Sequence, residues 1–277
     1  MDYKRILTVQ DISCVGQCSL TVALPILSAC GVETCILPSA VLSTHTAGFS
    51  GFTVRDLSRD IPEIRKHWEK EGILFDAVYT GYLGSAQQIG YVMDLIRSRT
   101  RPGGLAIIDP AMADNGKLYC TFDEEYVEQM KPLCFSADIL LPNITEACLL
   151  TGMPYKTEYD SAYIRELVER LTVSGAKQVV LTGVSYEPAT TGVVVYRDGE
   201  MTYYEHHRIA QNCHGTGDIY ASAFVGSLMR GKTSCEAARI AADYTVRCIE
   251  NTQDDPGHWY GVKFETALPD LIRMLQG

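Results

Sequence analysis

Short apolar runs alternate with amphipathic helical patterns along the chain, and this alternation most restricts what the sequence can fold into. Arg5 to Gln10, Val32 to Leu37, Phe75 to Thr80, Leu105 to Ile108, Ala137 to Leu141 and Gln178 to Leu181 read as buried strands. Gln17 to Cys30, Ile61 to Glu71, Ser85 to Arg99 and Ser161 to Ser174 read as the helices between them, with Pro25 expected to kink the first. Strands that alternate with helices imply an α/β fold with a largely parallel sheet. Thr190 to Tyr196 and Met201 to His206, joined through Arg197-Asp198-Gly199-Glu200, predict a β-hairpin, because Asp-Gly readily takes the positive φ angles of a tight turn. Beyond it the chain turns helical. No repeat, charge block or Ser/Gly linker interrupts the pattern, so one domain over residues 1–277 is expected.

Several strands finish on polar or glycine residues. Asp11 follows the first, Thr80-Gly81 closes another, and Asp109-Pro110, Pro142-Asn143 and Thr182-Gly183 close three more. Ligands of open α/β sheets bind outside the carboxyl ends of the strands, so these residues should converge on one edge. Such residue types also suit ordinary strand-to-helix turns.

The 24 Lys and Arg against 34 Asp and Glu leave a formal charge of −10, without the basic footprint of a nucleic-acid binder. An anionic ligand must therefore be held locally. Ten cysteines in 277 residues are too sparse for a disulfide scaffold, and their spacing lacks a CxxC pair, so reduced thiols are expected. No apolar run reaches the ~18 residues of a membrane span, and Met1 to Gln10 lacks a signal-peptide pattern. A cytoplasmic protein is expected.

The sharpest local signal is Asn212-Cys213-His214-Gly215-Thr216-Gly217-Asp218, directly before an apolar helix from Ile219 to Arg230. Glycines let backbone amides approach a ligand, and a helix N-terminus adds unpaired N–H donors and partial positive charge. Gly215, Thr216 and Gly217 thus form a candidate anion cradle. Asp218 either caps the helix or, if a phosphoryl group sits in the cradle, takes the proton of an attacking hydroxyl. Gly226 to Thr233 matches the P-loop pattern GxxxxGK[ST], but a P-loop follows a strand and Gly226 continues a helix. Gly231 reads instead as the end of that helix, and Thr233 to Glu236 as the capping box of the next.

Asp109 and Glu146 are hard oxygen ligands suited to Mg²⁺, which takes one or two carboxylates and keeps several waters. Glu146 equally suits the first turn of a helix, and Asp109 a turn before Pro110. His206-His207 lacks the helical spacing of a metal pair.

These residues resemble a known family. Asn212 to Asp218 is similar to the C-terminal signature of the ribokinase-like superfamily. Thr80-Gly-Tyr-Leu-Gly-Ser85, Ile108-Asp-Pro110 and Leu140-Leu-Pro-Asn-Ile-Thr-Glu146 resemble its vitamin B6 branch, the pyridoxal/pyridoxine/pyridoxamine kinases. The match runs in order from Ile6 to Ile249. It implies a three-layer α/β/α fold without a separate lid domain, and transfer of the γ-phosphoryl group of ATP to the 5′-hydroxymethyl of a pyridine vitamer. Asp218 matches the family's base, and Gly215, Thr216 and Gly217 its anion hole. Asp109, Asn143, Glu146 and Thr182 match positions around the phosphates of ATP, with Asp109 and Glu146 toward Mg²⁺. Tyr82 and Thr46 match positions beside the pyridine ring, with His45 nearby. Many pyridoxal kinases carry Ser after the opening Val-Gln, whereas Asp11 stands here, where an anion would favour the pyridinium or the amine of pyridoxamine. The resemblance also implies a homodimer and leaves room for a monovalent cation. His214 before Gly-Thr-Gly leans toward the related hydroxymethylpyrimidine kinases, but those often carry Cys where Asp218 stands. A non-catalytic nucleotide or vitamer sensor on the same scaffold is a third reading.

Overall fold

In a computed structural model, residues 3–209 and 214–277 are described. Asn212 and Cys213 of the signature that precedes the expected cradle lie outside them. One sheet is built from β1 (Arg5–Ser13), β2 (Glu33–Leu42), β3 (Val54–Asp56), β4 (Phe75–Thr80), β5 (Thr100–Ile108), β8 (Ile139–Leu140), β9 (Gln178–Val184), β10 (Thr190–Arg197) and β11 (Glu200–His207). Its order is β11-β10-β9-β8-β5-β4-β1-β2-β3. The six strands from β9 to β2 are parallel, and antiparallel β10, β11 and β3 complete the two edges. The short β6 (Ala113–Asp114) and β7 (Lys117–Leu118) pair separately.

Side chains alternate across the strands and feed two cores, one on each face. Leu7, Val9 and Val78 pack beneath α2 (Asp60–Lys70), α3 (Ala86–Arg99), α4 (Glu124–Phe135), α5 (Ile144–Thr151) and α6 (Ser161–Val173). Ile6, Ala77 and Ile107 pack beneath α1 (Leu20–Ala29), α7 (Thr216–Met229), α8 (Ser234–Glu250) and α9 (Phe264–Gln276). The result is three layers, as expected. Asp198 and Gly199 take φ of 52° and 84°, and the hairpin closes on the pair Arg197 and Glu200.

Two differences matter. Helix α1 begins at Leu20 rather than Gln17, because Ser19 lies at φ 55°, outside right-handed helical space, and bridges antiparallel to Ile12. It runs on through Pro25 to Ala29 as one element. Segments without an expected element form α4 and α9, each carrying an internal proline, Pro132 and Pro269. As expected, the P-loop-like string lies within α7 and its exit rather than after a strand. A Cβ on Gly226 would come 2.4 Å from the Cys30 sulfur, so this glycine lets α7 pack on α1. Gly231 ends the helix at φ 86°, and Thr233 with Glu236 forms the capping box of α8.

Among the described residues no helix is long and apolar enough to cross a membrane. The nine described cysteines are unpaired, and four of them are buried: Cys30, Cys134, Cys148 and Cys248.

Candidate active site

The carboxyl ends of the central strands are tied to one another by backbone hydrogen bonds. The amide of Gly81 donates to Val9 at 3.2 Å, Asp109 to Thr80 at 3.1 Å, Leu141 to Ile108 at 2.8 Å and Thr182 to Pro142 at 2.9 Å. Asp11, Tyr82, Asp109, Asn143 and Thr182, far apart in sequence, therefore share one edge. A cavity of about 620 Å³ lies at the other end of the sheet, lined by Asp138, Lys177, Gln178 and Gly199, away from all of these.

The N-terminus of α7 meets this edge. Gly215 caps it at φ 78°, and a Cβ there would stand 2.0 Å from the carbonyl oxygen of Gln17, so conformation and close packing both require glycine. Gly217, exposed in the first turn, would carry a Cβ that meets nothing within 4 Å. The first amides of a helix have no partner inside it and point toward an anion. Thr216 opens the helix, and half-buried Asp218 sits in its first turn.

One oxygen of Asp218, Oδ2, accepts from the backbone amide of Ser19 at 3.0 Å. Desolvation raises its carboxyl to about 6, the Ser19 bond opposes that rise, and the negative charge of Asp11 adds to it. A carboxylate with this affinity can accept a proton near neutral pH.

Glu146 is buried, and both its oxygens accept hydrogen bonds. Oε1 accepts from the amides of Met112 (3.1 Å) and Ala113 (3.4 Å), and Oε2 from the amide of Asn143 (2.9 Å). Asn143 answers through Oδ1, which accepts from the Glu146 amide at 3.0 Å, and through Nδ2, which donates to Ala113 at 2.7 Å. The pair is the capping box of α5 and a clamp on residues 112–113. Thr182 bridges to Asn143 from the neighbouring strand. Asp109 accepts from the Ala111 amide at 3.2 Å. Desolvation, then the charges of Glu146 and Asp218, hold the Asp109 carboxyl well above the usual range. The charges of Glu146 and Asp218 beside Asp109 are what a divalent cation would offset, and Asp109 and Glu146 are the hard oxygen donors suited to hold one. Among the described residues no three His, Cys, Asp or Glu side chains form a ready metal cage. Mg²⁺ tolerates that, since it completes its shell with water and phosphate oxygens.

On the expected substrate side, buried His45 packs onto Gly16, where a Cβ would stand 2.1 Å from the ring. His214 lies 5.7 Å away, centroid to centroid, and desolvation and then His45 push its imidazole down. Thr46 is exposed in the same loop. Tyr82 holds Thr121 through its hydroxyl at 3.3 Å and packs 5.3 Å from Phe122. Asp11 is buried, and both its oxygens accept from hydroxyls: Ser19 at 2.6 Å and Ser13 at 3.1 Å.

Sequence reasoning missed several partners. Nothing local marked Ser13 or Ser19. Gln17 accepts through Oε1 from His258 Nε2 at 2.7 Å and donates through Nε2 to Glu265 at 2.9 Å. Residues 258–260 wall the His45 loop, and the run His258-Trp259-Tyr260 was the signal available for them.

The phosphomethylpyrimidine kinase family matches residues 24–262. The chain belongs to that family. A Bacteroides thetaiotaomicron protein crystallised as a candidate phosphomethylpyrimidine kinase is 36% identical to this family member, with a TM-score of 0.94, over 98% of this chain and 94% of that one. Another crystal form of that protein was solved with pyridoxal (37% identity, TM-score 0.90, 98% and 96% covered). Pyridoxal kinase from Lactobacillus plantarum is 31% identical, TM-score 0.91, over 99% and 98%. The hydroxymethylpyrimidine/phosphomethylpyrimidine kinase of Bacillus subtilis is 28% identical over 77% of each chain. The chain spans 46% and 30% of the length of two longer thiamine-biosynthesis relatives, from rice and Corynebacterium efficiens. The fold of this family member is the ribokinase-like α/β/α arrangement.

Proposed function

We propose that this chain transfers the γ-phosphoryl group of ATP to the 5′-hydroxymethyl of a vitamin B6 vitamer, giving the 5′-phosphate for salvage of pyridoxal 5′-phosphate. The observation that carries the reading is Asp218 in the first turn of α7, beside the Gly215 to Gly217 amides, with its carboxyl raised to about 6. The hydroxymethyl oxygen attacks the γ-phosphorus, its proton passes to Asp218, the new O–P bond forms as the bond to the bridging oxygen breaks, and ADP departs. The cradle amides of Gly215, Thr216 and Gly217 hold the charge on the transferring group. In this reading Asn143 and Thr182 serve the phosphates, and Asp11, His45, Thr46 and Tyr82 the vitamer. Bound Mg²⁺ would supply charge neutralisation between the phosphates, with Asp109 and Glu146 as the residues to hold it.

Hydroxymethylpyrimidine phosphorylation is the second reading, supported by the family match and the Bacillus relative. Pyridoxal in the Bacteroides relative supports the vitamer. A homodimer, a single domain over 1–277 and a cytoplasmic location belong to the same proposal, the last supported by the unpaired described cysteines. An ATP-consumption assay with Mg²⁺, with and without K⁺, over pyridoxal, pyridoxine, pyridoxamine and hydroxymethylpyrimidine tests it. Turnover of a pyridine vitamer is expected, preference for the pyrimidine selects the second reading, and no turnover of any leaves a sensor.

A further inference from the structure

We propose that Ser19 is a positioning residue for phosphoryl transfer, aiming Asp218 with its backbone amide while its hydroxyl anchors that amide to Asp11. The inference rests on the kinase reading above.

Ser19 precedes α1, where a serine ordinarily turns its oxygen back onto an amide of the first turn. It makes no such bond. Its hydroxyl donates instead to Asp11 Oδ1 at 2.6 Å, while its amide donates to Asp218 Oδ2 at 3.0 Å. One residue thus joins the end of β1 to the start of α7, across 199 positions of sequence. Asp11 is fixed in turn by Ser13, which donates to Oδ2 at 3.1 Å, so both oxygens of this buried carboxylate face inward to hydroxyls.

The backbone records the demand. Ser19 lies at φ 55°, ψ −132°, a region that favours glycine, and it is one of three described non-glycine residues at positive φ. The other two, Asn115 and Asp198, occupy the β6–β7 and β10–β11 turns, where such residue types are common. A glycine at 19 would relieve the strain but lose the hydroxyl. The strained conformation directs the Ser19 amide away from the helix and at Asp218. With Oδ2 held, Oδ1 is the oxygen that receives the substrate proton. Asp11, read from sequence as a ring contact, becomes the anchor of this arrangement.

A double-mutant cycle tests the proposal, with kcat, both KM values and Tm measured for the unsubstituted protein, Ser19→Ala, Asp11→Ala and the double variant. Ser19→Gly, which suits the backbone and keeps the amide, is measured beside them. Each single variant is expected to lower kcat about tenfold or more with both KM values within about twofold, and the double to lose no more than the worse single, because one tie is cut either way. A folded Ser19→Gly protein with unchanged kcat overturns the proposal. So do additive losses in which Asp11→Ala acts on vitamer KM alone, which would make Asp11 a substrate contact. Those outcomes leave the kinase reading intact, whereas an unsubstituted protein with no turnover overturns both.

Discussion

His45 Nε2 stands 2.7 Å from the carbonyl oxygen of Tyr260, 215 positions further along the chain. The other ring nitrogen, Nδ1, accepts from the Ala47 amide at 3.2 Å, so Nε2 carries the proton and donates. Phe49 meets the His45 ring edge-on at 5.0 Å, and Trp259 covers Phe49 at 4.7 Å. The loop expected to hold the pyridine ring is therefore braced by the connection between α8 and α9. An aromatic pair contributes about 0.5–1.5 kcal/mol beyond area burial. Trp259→Ala is expected to raise vitamer KM by roughly three- to tenfold and leave ATP KM within twofold, as steady-state kinetics over both substrates would show.

What was legible in the sequence follows the range of the interactions. The parallel strands and the hairpin were readable because apolar periodicity and Asp-Gly turn chemistry act over a few residues. The strand-end row of Asp109, Asn143 and Thr182 was readable because parallel α/β topology itself brings those ends together. Ser19 was not, since its role depends on a backbone angle and on Asp218 199 positions away. Helices α4 and α9 were not assigned from sequence; each carries an internal proline, Pro132 and Pro269, which weakens a local helical signal.

Gly215 is constrained twice, by φ 78° and by the Gln17 carbonyl 2.0 Å from any Cβ. Positive φ alone costs a non-glycine residue about 1–2 kcal/mol, and the clash forces α7 away from residue 17. Gly215→Ala is expected to lower stability by about 2 kcal/mol or more and kcat by about 10²-fold or more, since the cradle amides move together. Thermal unfolding and kcat, measured on the same preparation, check both. A normal kcat would remove Gly215 from the cradle.

Glu146 separates a structural from a metal role. Its two oxygens take three backbone amides, and Glu146→Gln would replace one acceptor by an NH₂ group facing an N–H donor. An unsatisfied buried group costs about 1–3 kcal/mol, so Tm should fall in Mg²⁺-free buffer before any ligand is present. The Mg²⁺ concentration for half-maximal turnover should also rise. An unchanged Tm would show that the clamp on residues 112–113 contributes little.

Asp218 couples activity to stability with opposite signs. Its carboxyl is raised from an ordinary 3.8 to about 6, so between those values the folded state binds the proton more tightly than the unfolded chain. Stability from this group is present at low pH and declines as pH rises through the window. Above about 6 the folded protein carries a desolvated charge, a penalty of about 1 kcal/mol once screening at a half-buried site is allowed for. Asp218→Asn removes that penalty and should raise Tm at pH 8, with little change near pH 4. If Asp218 is the base proposed for proton transfer, kcat should fall by about 10²–10⁴-fold with a smaller change in ATP KM. In the unsubstituted enzyme kcat should rise with pH through about 6, as the carboxylate forms. An Asp218→Asn variant that is more stable at pH 8 yet retains normal turnover would make Asp218 a desolvated cap and not the base.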